Sequence, residues 1–318
     1  MHIFCIGAGP VGCSWAASFL AAGHDVSLWD DDDTARAAAV QRIEIALGLV
    51  APPARGRLNL LRRPEPVLAS VDHVQESISE ILADKQRLFA MLDTGLAPHA
   101  TLGSSTSAIP GSAFLCGLRL SPRAMVVHPT NPPHIIPLVE LCRTPETADA
   151  AVSSVRALLA TTGHETVDVR REIGGYLLNR MQAALVAEAL HLVQAGVATP
   201  ADIDTVVATG LAPRWAMGGP FLTGHLNADG GYLDYMTRYA SVWRGLVEGL
   251  HGKADWSEET LIAIDRDVRE RFGGAPSEHV LAARDHALMA LYGALRMARA
   301  TLSPNAASED AAVATPTA

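Results

Sequence analysis

The amino-acid sequence predicts an α/β fold, with an N-terminal domain built on a parallel sheet and an all-helical C-terminal domain. In the first half of the chain, short apolar runs alternate with amphipathic stretches, which is the pattern of a parallel sheet covered by helices. From Gly174 onward, apolar residues recur at helical spacing, and no strand pattern of comparable strength follows. We therefore predict domains at residues 1–170 and 171–302, followed by a disordered tail of small and polar residues at 303–318.

Each element of the first domain is predicted from its own stretch of sequence. The predicted strands are His2–Ile6, Asp25–Trp29, His73–Glu76, Thr101–Ser104, Ala124–His128, Leu138–Leu141 and Glu165–Val169. The predicted helices are about Val11–Ala22, Thr34–Leu47, Ile81–Leu92 and Pro145–Thr161, and Tyr176–Gln194 begins the second domain. Because strands and helices alternate, neighbouring strands are expected to run parallel.

Composition and charge limit the classes of function. A chain of 318 residues, 49% of them apolar and 19% charged, is typical of a globular protein with two domains. The 25 Lys and Arg residues against 34 Asp and Glu residues give a net charge of -9, which disfavours nucleic acid as a partner. No apolar run of about 18 residues is present to span a membrane. A strand that begins at His2 leaves no room for a signal peptide, so we expect a cytoplasmic protein.

The cysteines and histidines predict no metal site. The four cysteines lie in apolar stretches without the spacing of metal ligands, and they are Cys5, Cys13, Cys116 and Cys142. Neither H-E-x-x-H nor C-x-x-C occurs in the sequence. We expect the cysteines to be reduced residues of the core.

A glycine-rich turn directly follows the first strand. Gly7, Gly9 and Gly12 form the pattern G-x-G-x-x-G between that strand and a helix. Gly7 permits a tight turn, Gly9 lets the backbone approach a pyrophosphate, and Gly12 lets the helix pack on the strand. The helix start, with Pro10 and Val11, would present unpaired N–H groups to the phosphates. In isolation the pattern also fits a structural turn, but its place between strand and helix predicts a dinucleotide site in a Rossmann-type domain.

Asp30 ends the second strand, 18 residues after Gly12. A carboxylate at this place can accept hydrogen bonds from both hydroxyls of an adenosine ribose. It also begins the acidic run Asp30–Asp33, which would repel the 2′-phosphate of NADP. We therefore predict NAD as the cofactor, with a solvated helix cap as the alternative role of this run.

Four motifs resemble those of the 3-hydroxyacyl-CoA dehydrogenase superfamily. They are G-S-S-T-S at Gly103–Ser107, H-P-T-N-P-P at His128–Pro133, L-V-E at Leu138–Glu140 and L-N-R at Leu178–Arg180. The longer stretch H-P-T-N-P-P-H-I-I-P-L-V-E-L, together with R-W-A-M-G-G-P…H-L-N at Arg214–Asn227, is most similar to the lambda-crystallin/L-gulonate 3-dehydrogenase branch. The resemblance extends from Met1 to about Ala240, and the order and spacing of its motifs agree together.

The resemblance implies a dehydrogenase that oxidises a secondary alcohol beta to a carboxyl or acyl group. His128 would take the hydroxyl proton while hydride leaves for the nicotinamide, because imidazole titrates near neutrality. Glu140, on the other ring nitrogen, would fix the tautomer and stabilise the imidazolium. Ser107 and Asn179 match substrate-binding positions of the family and would hydrogen-bond the reacting oxygen in an interdomain cleft. Singly, each of the four also fits a structural role, whereas their joint agreement with one template favours catalysis.

Three further residues are assigned through the resemblance. Glu76 and Lys85 match family residues beside the nicotinamide ribose, or they form a solvated ion pair at the rim. Arg214 lies in the crystallin-like segment, and its planar fork suits a substrate carboxylate. A surface arginine is the alternative for Arg214.

The substrate is expected to be a small anionic free 3-hydroxy acid, similar to L-gulonate. The chain between Asp30 and Glu76 looks shorter than in the hydroxyacyl-CoA branch, and its helix offers few cations for the phosphates of coenzyme A. L-3-hydroxyacyl-CoA dehydrogenase is the alternative activity, and a non-catalytic NAD-binding structural protein is a more distant one. The amphipathic stretch His279–Leu302 and the resemblance predict a homodimer through the helical domain, with an intramolecular core as the alternative.

Overall fold

The computed structural model describes residues 1–50, 55–250, 256–272 and 277–300. The chain divides into two compact units, Met1–Arg180 and Met181–Ala318. The first unit combines strands and helices, and the described part of the second is helical, which confirms the predicted fold class. The tail predicted at 303–318 lies outside the described residues, and the domain boundary after residue 170 stays a prediction.

The first unit is built on one eight-stranded sheet with the strand order β3-β2-β1-β4-β5-β6-β7-β8. The strands are β1 (His2–Ile6), β2 (Asp25–Trp29), β3 (Leu58–Leu60), β4 (His73–Glu76), β5 (Thr101–Ser104), β6 (Ala124–Pro129), β7 (Leu138–Arg143) and β8 (Glu165–Val169). All seven predicted strands are present. The sequence analysis missed β3, whose three residues read L-N-L and are too few for a periodic pattern.

Helices cover both faces of this sheet. They are α1 (Pro10–Ala21), α2 (Asp33–Val50), α3 (Leu82–Gly95), α4 (Ser112–Leu115) and α5 (Asp149–Thr161). Along β1, Ile3 and Cys5 belong to one apolar cluster, while Phe4 and Ile6 belong to a second cluster. Because alternate residues of a strand point to opposite faces, the two clusters are the two layers of the core.

One pair of strands departs from the predicted parallel arrangement. Strands β6 and β7 are antiparallel, whereas every other neighbouring pair in the sheet is parallel. Only residues 130–137 connect β6 to β7, which is too short for the crossover that parallel strands require. The resulting register places His128 directly opposite Glu140.

The second unit contains helices that bury little of their apolar surface. They are the main part of α6 (Leu178–Gln194), α7 (Pro200–Thr205), α8 (Ala212–Leu226), α9 (Gly231–Gly249), α10 (Glu258–Phe272) and α11 (Glu278–Ala300). Among the described residues from Met181 on, Leu190 is the one large apolar side chain that is buried, whereas Leu233 is 78% and Phe221 71% exposed. Within the described ranges, no helix is both long and apolar enough to cross a lipid bilayer.

Candidate active site

Two glycines of the turn after β1 have no room for a side chain. Gly7 has a φ of +101°, and a Cβ there would lie 2.5 Å from the carbonyl oxygen of Ser77. A Cβ on Gly12 would lie 1.9 Å from the carbonyl oxygen of Gly7. The close approach of turn, helix and β4 therefore depends on both glycines.

The third glycine faces open space at the start of α1. Gly9 is the N-cap residue of this helix, and a Cβ there would meet nothing within 4 Å. No side chain caps the helix, so the N–H groups of its first turn, which start at Val11 because Pro10 has no N–H, are open to a ligand. An anion such as a pyrophosphate fits this helix end.

Asp30 lies beside the same turn, at the end of β2. Its Oδ2 accepts a hydrogen bond from the N–H of Ala8 (2.6 Å), and its Oδ1 accepts one from the N–H of Asp32 (2.9 Å). A cavity of about 360 Å3 adjoins it, lined by Trp29, Asp30, Asp31, Ile78, Ser79, Asp84, Arg87, Leu88 and Met91. The lining mixes apolar and polar side chains, and a cavity of this size with a carboxylate at the end of β2 suits the adenosine half of a dinucleotide.

His128 and Glu140 contact each other across strands β6 and β7. Directly opposed side chains of an antiparallel pair lie on the same face, and here the imidazole Nδ1 is 2.8 Å from the carboxylate Oε2. His128 is 4% exposed and Glu140 is 1% exposed. Because a carboxylate can only accept, this contact places the proton on Nδ1 and leaves Nε2 as an acceptor.

The second oxygen of Glu140 is held by the backbone. Its Oε1 accepts hydrogen bonds from the N–H groups of Leu177 (2.7 Å) and Leu178 (3.0 Å). Burial raises the pKa of Glu140, but the hydrogen bonds from His128 and from these two N–H groups more than offset burial, so the pKa lies below its usual value. Glu140 is thus ionised at neutral pH. Asn179 directly follows Leu178 in the chain and is half-buried in the first turn of α6.

Ser107 completes a hydrogen-bonded line with these two residues. Its exposed hydroxyl lies 3.1 Å from Nε2 of His128 and donates to that nitrogen, since Nδ1 carries the ring proton. Ser107 follows β5 at the edge of the sheet where His128 lies next to the last residue of β6. Three predicted residues from different segments are therefore adjacent in the fold.

The loop that carries Ser107 is bound by Glu80, a residue that the sequence analysis did not single out. The donors to its Oε1 are the N–H groups of Ser107 (3.0 Å), Ala108 (2.8 Å) and Ile109 (3.3 Å) and the hydroxyl of Thr106 (2.5 Å). Burial raises the pKa of Glu80, but these hydrogen bonds and Lys85 more than offset burial, so the pKa is lowered. The only signal available in the sequence was the place of Glu80 just after β4, at the edge of the sheet where the other candidates gather.

Glu76 and Lys85 form a buried ion pair beneath Glu80. Glu76 is 0% and Lys85 1% exposed, and 2.8 Å separates the ammonium Nζ from Oε1. The N–H of Ile78 and the hydroxyl of Ser104 also donate to Glu76. The Nζ of Lys85 also lies 3.5 Å from Oε2 of Glu80. The alternative of a solvated pair is therefore wrong, while a cofactor role for this pair stays a prediction.

Comparison with known proteins identifies the family. The chain matches the model of the 3-hydroxyacyl-CoA dehydrogenase NAD-binding domain over residues 2–173, and the model of the C-terminal domain over residues 175–245. The chain belongs to the 3-hydroxyacyl-CoA dehydrogenase family. It is 34% identical to the lambda-crystallin homolog of Homo sapiens, over 90% of this chain and 93% of that protein.

Two further relatives of this dehydrogenase carry names that refer to a reaction. The L-carnitine dehydrogenase of Streptomyces coelicolor is 37% identical, over 84% of this chain and 83% of that protein. The solved structure of 5-formyl-3-hydroxy-2-methylpyridine 4-carboxylic acid 5-dehydrogenase, an NAD+-dependent dismutase, superposes with a TM-score of 0.80 at 25% identity, over 93% of this chain and 98% of that chain. The predicted superfamily, its lambda-crystallin branch and the NAD cofactor are confirmed, and the dehydrogenase is an NAD-dependent oxidoreductase.

Arg214 lies in the second unit, on α8. It lines a cavity of about 300 Å3 whose aromatic walls are Trp215, Phe221, Tyr232, Tyr235 and Trp243. Gly219, with a φ of +74°, and Pro220 interrupt α8 beside this cavity. Within the described residues, no group of three or more His, Cys, Asp or Glu side chains is arranged to hold a metal ion.

Proposed function

We propose that this protein oxidises the 3-hydroxyl of a small free 3-hydroxy acid, similar to L-gulonate, to the 3-keto acid, with His128 as the general base. The observation that carries the proposal is the orientation of the imidazole. Glu140 accepts from Nδ1, so Nε2 carries the lone pair, and it points to the exposed hydroxyl of Ser107. A substrate hydroxyl at this position would find an acceptor within hydrogen-bond distance.

In the proposed reaction, the substrate's O–H proton moves to Nε2 of His128 while a C=O bond forms at C3. Bound NAD supplies the acceptor for the hydride that leaves C3. The ionised Glu140 stabilises the imidazolium, and its two backbone hydrogen bonds prevent the carboxylate from turning away. Ser107 and Asn179 hydrogen-bond the reacting oxygen.

The cofactor-binding residues are proposed from the geometry of the glycine turn. Gly7, Gly9 and Gly12, with the helix start at Pro10 and Val11, would hold the pyrophosphate, because the helix end is uncapped. The carboxylate of Asp30 would bind the adenosine ribose. The Glu76–Lys85 pair, which contacts Glu80 through Lys85, would lie beside the nicotinamide ribose of the cofactor.

A free acid is favoured over a CoA thioester by the contacts of the two arginines on α2. Arg36 donates to the carbonyl oxygen of Asp30 and pairs with Asp33, and Arg42 donates to the carbonyl oxygen of Ala8 at 3.0 Å. Both guanidinium groups are thus already used by the first unit, which leaves them poorly placed to bind phosphates of coenzyme A.

A substrate panel tests this assignment. NADH formation is measured by absorbance with L-gulonate, L-3-hydroxybutyrate, L-carnitine and L-3-hydroxybutyryl-CoA, because a relative named for L-carnitine makes that free 3-hydroxy acid a candidate. We expect a free acid to give the highest kcat/KM, and a preference for the thioester would establish the alternative activity. His128→Ala should lower kcat by at least about 10²-fold with little change in NAD affinity. The exposed His99→Ala is the matched control and should retain wild-type turnover.

Arg214 is proposed to bind the substrate carboxylate. Its cavity combines one guanidinium, whose planar fork suits a carboxylate, with the walls of five aromatic rings. Arg214→Met should raise KM for the free acid on the order of 10²-fold, with little effect on a neutral methyl ester of the same acid. Equal effects on acid and ester would contradict this role.

We further propose that the protein is a cytoplasmic homodimer that associates through the second unit. A second copy would cover apolar side chains that the described part of this unit leaves exposed, such as Leu233 and Met297. The cytoplasmic assignment is supported by the use of NAD and by the four free cysteines. Light scattering at micromolar concentration should give twice the monomer mass, and a monomer mass would contradict the dimer.

A further inference from the structure

Tyr176 is a buried aromatic residue in a backbone conformation that L-residues rarely adopt. Its φ is +48°, and among the described residues it is the one non-glycine residue with a positive φ. It follows Gly175, whose φ is +75°, and its side chain is 2% exposed. Such backbone strain persists only where the surrounding structure holds it, and it is concentrated at functional sites.

The ring of Tyr176 packs against the proposed base. Its centroid lies 5.1 Å from that of the His128 imidazole, and the two planes are tilted by 48°. The ring also belongs to a small apolar cluster with Val126, Cys142 and Val169 on the sheet. The imidazole is therefore bounded by a ring that is itself packed against rigid strands.

The hydroxyl of Tyr176 is bonded to the loop that carries Ser107. It donates to the carbonyl oxygen of Ile109 at 3.3 Å, two residues after Ser107 in the same loop. Burial raises the pKa of Tyr176, and the neighbouring Cys142 and the carboxylates of Glu80 and Glu172 raise it further. The phenol thus keeps its proton and remains a donor at neutral pH.

We propose that Tyr176 is a positioning residue of the dehydrogenase site. Its ring fixes the plane of the His128 imidazole, and its hydroxyl fixes the Ser107 loop, so that Nε2 and the Ser107 hydroxyl stay within hydrogen-bond distance. The next two residues supply the N–H groups that hold Glu140, so one turn sets the position of the base, its carboxylate and the loop opposite. This inference rests on the proposed function, because it assigns to Tyr176 the orientation of that base.

A double-mutant cycle separates this role from general stabilisation. Tyr176→Phe keeps the ring and removes the hydrogen bond to the loop, so kcat should fall about 3- to 10-fold in the wild-type background. In a Ser107→Ala background, the same change should alter kcat by less than about 2-fold, because the group that the bond positions is gone. The same factor in both backgrounds, or an unchanged kcat in Tyr176→Phe alone, would overturn the role of the hydroxyl.

The ring is tested by Tyr176→Leu, measured well below the melting temperature of the variant. We expect kcat to fall on the order of 10²-fold while NAD affinity stays within about 2-fold, since only the geometry of the base is disturbed. Phe19→Leu is the matched control: it also shortens a fully buried aromatic side chain, packed against Trp15 on α1, and should leave kcat unchanged. Equal losses of kcat in the two Leu variants would reduce Tyr176 to a core residue and overturn the proposal.

The proposed function and the positioning role of Tyr176 are refuted by different results. An active His128→Ala variant would refute the proposed function and, with it, the role of Tyr176. An inactive His128→Ala variant combined with wild-type kcat in both Tyr176 variants would refute only the positioning role.

Discussion

Replacing Glu140 with Gln tests the tautomer on which the proposed reaction depends. Only the amide oxygen of a glutamine can accept from the N–H groups of Leu177 and Leu178, which now bind Oε1 at 2.7 and 3.0 Å. Those two donors would therefore orient the amide with its NH2 group toward Nδ1 of His128, where the carboxylate Oε2 now lies at 2.8 Å. An NH2 group can only donate, so Nδ1 must become the acceptor and the ring proton must move to Nε2.

The expected magnitude follows from the contacts that each alternative breaks. The productive tautomer carries its proton on Nδ1 of His128. If the Glu140→Gln variant keeps this tautomer, either the amide NH2 group faces the N–H of Nδ1, so that two donors oppose each other, or the amide turns over and loses both backbone hydrogen bonds. Each unmade buried hydrogen bond costs about 1–3 kcal/mol, and the negative charge that stabilises the imidazolium is also lost. A total of about 3–5 kcal/mol corresponds to a decrease in kcat on the order of 10²–10⁴-fold.

Steady-state NADH formation at saturating NAD and substrate measures this decrease. NAD affinity, followed by quenching of protein fluorescence, and the free energy of unfolding in urea should change little, because the backbone hydrogen bonds survive in the variant. Glu165→Gln makes the same substitution at an exposed position on β8 and serves as the control. A Glu140→Gln enzyme within about 5-fold of wild-type kcat would refute the reasoning, since the wrong tautomer cannot accept the substrate proton.

Three further predictions concern the first unit. Gly12→Ala should abolish measurable NAD binding in calorimetry, because its Cβ would lie 1.9 Å from the carbonyl oxygen of Gly7. Gly48→Ala is the control and should bind NAD normally, because its Cβ would meet nothing within 4 Å. Retained NAD binding in both variants would contradict the steric argument. Asp30→Ala should weaken NAD at least about 10-fold and NADP less, so an unchanged ratio of the two affinities would argue against ribose recognition by this carboxylate. Burial lowers the pKa of His73 from its usual 6.5 to about 4, so the neutral ring contributes stability above pH 6.5 that is lost as the pH falls from 6.5 through 4. His73→Asn should reduce the difference in unfolding free energy between pH 7 and pH 5, and an unchanged difference would contradict the linkage.

The sequence carries enough information to predict most of the sheet and the line of three polar residues. The strands of the first unit are apolar runs bounded by turn residues, and the motifs containing Ser107, His128 and Glu140 have a family spacing. The antiparallel pairing of β6 and β7 was not predicted, although the eight residues between the strands could have indicated it. That pairing explains why 12 residues separate His128 from Glu140, because it makes the two residues cross-strand partners.

Glu80 and Tyr176 were missed because their partners are distant in sequence. The donors to Glu80 lie 26 to 29 residues further along the chain, and Tyr176 contacts residues 48 and 67 positions before it. The helix predicted from Tyr176 begins at Leu178 instead. A side chain 38 residues earlier, Glu140, binds the N–H at that helix start, so no local capping pattern marks the boundary.

The strand order explains why the predicted residues are distributed along the chain as they are. The glycine turn follows β1, and Asp30 directly follows β2 on one side of it. On the other side, Glu80 follows β4, Ser107 follows β5, and His128 lies near the end of β6. A dinucleotide held at β1 would therefore place its adenosine toward β2 and its nicotinamide toward β4 and β5. Three strand spacings of about 4.8 Å separate β1 from β6, a span of about 14 Å. This distance would accommodate the nicotinamide half of the cofactor and a small substrate between the pyrophosphate and the proposed base, so in the proposed site the strand order sets the place of the alcohol.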